Sequence, residues 1–91
     1  MAEEFLYLFK VGALPVWGRR AHQPSPKDAI ADALEILDYL VRANKVDIAT
    51  ACVGRGPTRS EAEWFGEWRW APQTGAVWSD QANPEPLPQP V

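Results

Sequence analysis

One histidine, His22, and one cysteine, Cys52, are the residues of this chain best suited to metal ligation or nucleophilic chemistry. Neither has partners at a useful spacing. A zinc site draws on several Cys and His ligands at short, regular intervals, and His22 has only scattered carboxylates to join it. "GRGP" (54–57) lacks the Lys-Ser/Thr pair and the following helix of a phosphate-binding loop. No serine stands in a strand–turn–helix elbow. Asp28, Asp32 and Glu35 recur at helical spacing, a pattern more typical of a solvated helix face than of acid–base machinery. The expectation is no catalytic residue, no metal and no cofactor. Cys52, within "DIATACV", reads as a small apolar side chain of a buried strand, and a single cysteine excludes an internal disulfide.

Binding chemistry is better represented. "EWFGEWRWAPQTGAVW" (63–78) holds four of the five tryptophans. Tryptophan and arginine dominate interface hot spots because they bury much area around a polar handle. Two or three of the tryptophans should serve the core of so small a domain, and the rest should mark a contact face, with Trp68, Trp70 and Trp78 as the aromatic anchor. Asp28, Asp32, Glu35 and Asp38 lie opposite the apolar stripe of one helix, with Arg42 extending the row. As a docking surface, this acidic stripe would set on-rate and specificity toward a basic partner. On that reading, Asp32→Lys with Glu35→Lys abolishes binding and leaves the melting temperature nearly unchanged. Trp17, Arg19, Arg20 and Arg69 form the competing constellation, in which bases stack on indoles and guanidinium groups meet phosphates.

The elements that position these residues follow from periodicity. "EFLYLFKVG" (4–12) reads as a strand with Phe5, Tyr7 and Phe9 on one face and Leu6, Leu8 and Lys10 on the other. Both faces are largely apolar, which predicts a central or doubly covered strand. Residues 13–22 return as a second strand, and Pro15 assigns it an edge or a bulge. "PSPKDAIADALEILDYLVRANK" predicts a helix over 26–43. Ser25 caps it, Pro26 occupies its first position, and Asp28 completes a capping pattern; Asn44 is its expected stop. Its apolar stripe is Ile30, Ala33, Leu34, Leu37, Leu40 and Val41. "VDIATACVG" (46–54) predicts a strand whose small residues suit close packing beneath the helix. A hairpin from Trp68 onward places Trp68 and Trp70 on one face, while residues 60–66 read as either a helical turn or strand. Residues 80–91 carry four prolines between 84 and 90. They are expected to be extended, polyproline-like or disordered, and are a candidate to lie across Trp68, Trp70 and Trp78 in the same chain or a neighbour. The expected fold is α+β: an antiparallel-dominated sheet of four or five strands in ββαβββ order, with one long helix on one face. The domain spans 1–79. Only the tail or another molecule remains to cover the second sheet face.

Composition narrows the function classes. The chain of 91 residues is 46% hydrophobic and 23% charged, the balance of a globular domain. Its net charge of −3 argues against charge-driven nucleic-acid binding. "MAEEF" is acidic where a secretory leader is basic, and no apolar run approaches the ~20 residues of a membrane span. The expected setting is cytoplasmic, with no membrane partner. In size, acidic balance and a strand pair leading into "PSPKDAIADALEILDYL" (residues 5–43), the chain loosely resembles small phage- or mobile-element-encoded inhibitors, including anti-CRISPR proteins. That resemblance implies a stoichiometric inhibitor that occupies a surface of a host nucleoprotein complex and performs no chemistry. Three readings follow: a non-enzymatic protein-binding module, a single-strand nucleic-acid module, or a homodimer paired through its uncovered sheet face.

Overall fold

A computed structural model of the chain describes residues 2–82. The elements run β1 (Glu3–Val11), β2 (Trp17–Gln23), α1 (Pro26–Asn44), β3 (Ala49–Arg55), β4 (Glu63–Ala71) and β5 (Gly75–Ser79). The strands form one sheet in the order β2-β1-β3-β4-β5, every neighbouring pair antiparallel. With α1 against one face, this is the expected α+β arrangement in ββαβββ order. No described helix is long and apolar enough to cross a membrane.

α1 forms where its caps predict. The Ser25 hydroxyl accepts from the Asp28 amide at 3.3 Å, and Pro26 occupies the first turn. The chain leaves the helix at Lys45, which takes the left-handed conformation (φ 51°) and donates its amide to the Val41 carbonyl. The stop is thus one residue past the expected Asn44, whose side-chain amide instead donates to the Leu40 carbonyl.

Ala29, Ala33, Leu37 and Val41, spaced four apart, are buried against the sheet. They meet Phe5, Tyr7, Phe9 and Val11 of β1 and Ala49, Ala51 and Val53 of β3 in one core. The small residues of α1 and β3 let the helix approach closely enough for the β1 aromatics to fill the space between. Ile30, Ile36 and Leu40 flank the buried row, so the apolar stripe is centred slightly differently from the expectation, which omitted Ala29.

Strand limits differ from the sequence reading at three places. Pro15 lies outside β2, which is an edge strand. β3 begins at Ala49 rather than 46: β1 ends at Val11, the partner of Ala49, and turns at Gly12 (φ 56°), whose amide donates to the Ile48 carbonyl at 2.9 Å one step beyond the last pair. β4 begins at Glu63, so residues 63–66 of the open stretch are strand while 60 and 61 belong to the preceding turn, with a register shift opposite Val53/Gly54. The Pro-rich reading of 80–91 falls, from residue 83 onward, outside the described residues.

Candidate functional site

The pairing register distributes every candidate residue between two faces. On the helix side, Trp68 stands opposite Ala51 on β3 and Trp78 on β5, and Trp70 stands opposite Ala49 and Ala76. The Trp68 and Trp78 rings meet edge-on, 5.2 Å between centroids and 64° between planes. Trp68 donates its indole N–H to the Ile30 carbonyl of α1 at 2.8 Å, and Trp78 donates to Asp80 at 3.1 Å. A side chain at Gly66 would meet the Trp78 ring at 2.6 Å, so glycine there admits the indole. All three tryptophans are half-buried and pack on the core. They close the flank between α1 and β4–β5, and the polar handles of Trp68 and Trp78 are already used within the chain.

The acidic stripe divides likewise. The Asp32 carboxylate accepts from the Tyr7 hydroxyl at 2.9 Å and from the Gln23 amide at 3.1 Å. This contact raises the Tyr7 phenol well above its ordinary range, through burial first and the neighbouring carboxylate second. Asp32 therefore joins α1 to β1 and β2, so in the Asp32→Lys/Glu35→Lys variant, expected to melt nearly as the wild type, the Asp32 change would deprive a buried hydroxyl of its acceptor. Asp28 bonds the capping Ser25 at 2.7 Å, and Asp38 pairs with Arg42 one turn on. Glu35 projects from the exposed side of the helix, near Tyr39.

The Arg/Trp constellation is split across the sheet. Trp17 and Arg19 pair with Phe9 and Tyr7 and so share the helix side, whereas Arg20 and Arg69 stand on the opposite side. Arg20 reaches Glu4 at 3.4 Å and donates to the Pro57 carbonyl at 2.7 Å, and Arg69 pairs with Glu67 at 2.6 Å. No single surface presents the four together.

The sheet face away from α1 is the site that sequence reasoning left without a role. One row across the sheet carries Gly18, Leu8, Cys52, Glu67 and Ser79, and the next carries Lys10, Thr50, Arg69 and Val77. Above them lies a concave cavity of about 440 Å3 lined by Leu8, Lys10, Val16, Ile48, Thr50, Cys52, Glu67 and Arg69, with Gly12 and Ala49 at its end. Leu8 and Cys52 form the buried floor, and the Cys52 thiol approaches Glu67 at 3.7 Å. Ile48 and Val77 are 64% and 52% exposed. An adjoining hollow runs along Leu6, Leu8 and Val16 to Pro57 and Arg59. There the Arg59 Nη2 is buried with no hydrogen-bond partner among the described residues. Cations outnumber acids here: Lys10, Arg20, Arg59 and Arg69 against Glu4 and Glu67, in a chain of net charge −3.

The signal for this face was present in the sequence. The same period of two that pairs Trp68 with Trp70 places Glu67 and Arg69 opposite them, and "FLYLFK" alternates Leu6, Leu8 and Lys10 against the aromatics. Among the described residues, no group of three His, Cys, Asp or Glu side chains is placed to hold a metal ion. No family model, curated protein or solved structure matches the chain.

Proposed function

We propose that this chain is a non-enzymatic binding module whose partner docks on the sheet face away from α1. The observation that carries this reading is the combination of an apolar concavity that exposed Ile48 helps to line, exposed Val77 next to its Arg69 in the same row, and a surplus of cations around it. Exposed apolar residues bordered by charge are a common composition of a protein contact. The charge selects an acidic partner segment. Such a module acts by occupancy, the mode implied by the resemblance to phage-encoded inhibitors, and a nucleoprotein subunit with an acidic surface is the partner class that joins the two. The acidic helix and the tryptophans are assigned structural work in this account, because Asp28, Asp32, Asp38, Trp68 and Trp78 each have a partner within the chain.

Nucleic acid is the weaker occupant for this face. Trp17, Trp68, Trp70 and Trp78 stand on the helix side of the sheet and so cannot offer stacking surfaces there.

Capture from nuclease-treated lysate tests the assignment, with wild type compared against two double variants. Ile48→Glu with Val77→Glu places charge on the open face, while Glu35→Lys with Asp38→Lys inverts the exposed side of the helix. A dominant protein partner kept by the helix variant and lost by the sheet variant is the expected result. Loss in the helix variant alone would return the docking role to the acidic stripe.

A further inference from the structure

A carboxylate on an open sheet face keeps its oxygens in water unless the protein itself supplies partners for them. Glu67 is 3% exposed, and both of its oxygens are met from within the chain. The Cys52 thiol approaches Oε1 at 3.7 Å, and Arg69 Nε donates to Oε2 at 2.6 Å. A carboxylate so engaged is not offered to a cationic ligand, but it does fix the arginine. Among the described residues, Glu67 is the only hydrogen-bond partner of the Arg69 side chain. That bond uses Nε, so the guanidinium is oriented while its two terminal nitrogens stay free to donate.

We propose that the cavity lined by Glu67 and Arg69 binds a small organic carboxylate, held over Thr50 between Arg69 and Lys10, with its apolar body on Leu8, Val16 and Ile48. Register sets this geometry. Lys10, Thr50 and Arg69 are cross-strand neighbours on β1, β3 and β4, and all three line the cavity. Adjacent strands lie about 4.8 Å apart, so the two cations rise from backbones about 10 Å apart with a hydroxyl midway between them. Two long side chains flanking a short donor frame a space for one carboxylate.

Charge and size select the class of ligand. Among the described residues that line the cavity, Lys10 and Arg69 are cations and Glu67 is the one acid, so a single carboxylate neutralises the surplus. A guanidinium fork also matches the two oxygens of a carboxylate. The volume of about 440 Å3 falls within the range of small-molecule sites, which are mostly apolar with a few placed polar groups. Leu8, Val16 and Ile48 supply the apolar part. The inference does not rest on the partner reading, since a free acid can fill the cavity with no protein above it. Where a protein does dock, the two compete for Ile48.

Hexanoate is the probe, titrated into the full-length protein at neutral pH and constant ionic strength, with hexan-1-ol as its uncharged counterpart. Nitrogen–proton correlation spectra should show saturable shifts at the Thr50 amide and at Arg69 Nε. Half-saturation is expected at about 1 mM, a strength within reach of so small a ligand. Hexanol should bind at least about tenfold more weakly, because it offers no charge to the guanidinium. Removing Arg69 alone would strand the buried Glu67, so the variant is Glu67→Gln with Arg69→Gln. With an unchanged far-ultraviolet spectrum, it should bind hexanoate at least about tenfold more weakly. Thr50→Val, which keeps the shape of the side chain, should weaken binding about threefold or more. Absence of saturation at about ten times the expected concentration overturns the proposal, as does equal binding of hexanol. Equal hexanoate affinity in the folded double variant also overturns it, and if that variant fails to fold, equal affinity in Thr50→Val does so. Tighter binding of hexylamine would assign the cavity to cations and overturn it too. None of these results affects the Ile48/Val77 capture experiment, so the two proposals fail separately.

Discussion

The two faces of the sheet are built from the same five strands yet differ in what their side chains have left to offer. Toward α1, aromatic and aliphatic groups interlock, and the polar groups close on one another: Tyr7 with Asp32, Trp68 with the Ile30 carbonyl. Away from α1, apolar residues form the floor of a concavity that exposed Ile48 helps to line, exposed Val77 stands next to its Arg69, and cations gather around it. The contrast teaches that residue type alone does not locate a binding surface. Tryptophan and aspartate, the usual interface candidates, hold this fold together, while Ile48 and Val77 remain exposed on the other side.

The sharpest way to break the contrast is truncation on each side. Leu37, fully buried at the middle of α1, should cost about 2–5 kcal/mol when replaced by alanine, through lost contacts and the cavity left behind. Val77→Ser on the open side should fall within about 0.5 kcal/mol of wild type. Urea unfolding reads both, and comparable losses at the two positions would erase the distinction.

The acidic stripe offers a finer comparison within one helix. Asp32→Ala leaves the Tyr7 hydroxyl with no acceptor in a buried place and should cost about 1–3 kcal/mol. Glu35→Ala, on the exposed side, should change stability by less than about 0.5 kcal/mol. If Asp32→Ala melts with the wild type, the carboxylate is a surface charge after all and the stripe regains its unity.

Smallest is an alkaline effect. An unfolded tyrosine releases its proton near pH 10, and the Tyr7 phenol in the folded protein holds its proton beyond that value. The folded state therefore binds more protons than the unfolded state above about pH 10, and stability falls as pH rises from there. The extra stability is fully present below that pH. Tyr7→Phe should flatten this loss, and parallel pH profiles for the two proteins would show that the Tyr7–Asp32 contact contributes nothing to it.

Much of the fold was legible because local signals agreed. Ser25, Pro26 and Asp28 started the helix where the structure starts it, and alternation in "EFLYLFK" gave β1 and its central place. The start of β3 was not legible, since Ile48 fits a strand by type, while the partner strand β1 ends at Val11 and turns at Gly12, which is distant in sequence. Asp32 was misplaced for a related reason. Its helical angle borders the apolar stripe, and only the arrival of Tyr7 and Gln23 from two other strands decides that it faces inward. The open-face site was half legible. Periodicity placed Glu67 and Arg69 together, but the concavity depends on Val16 and Ile48 from loops whose paths no local pattern specifies.

Once the partner is captured, its dissociation constant for three proteins tests the central assignment most directly: wild type, Ile48→Glu/Val77→Glu and Glu35→Lys/Asp38→Lys. The sheet variant should bind at least about a hundredfold more weakly, as expected when hot-spot residues are lost, while the helix variant should stay within a few-fold of wild type. Undiminished affinity in the sheet variant, with weakened binding in the helix variant, would contradict that assignment.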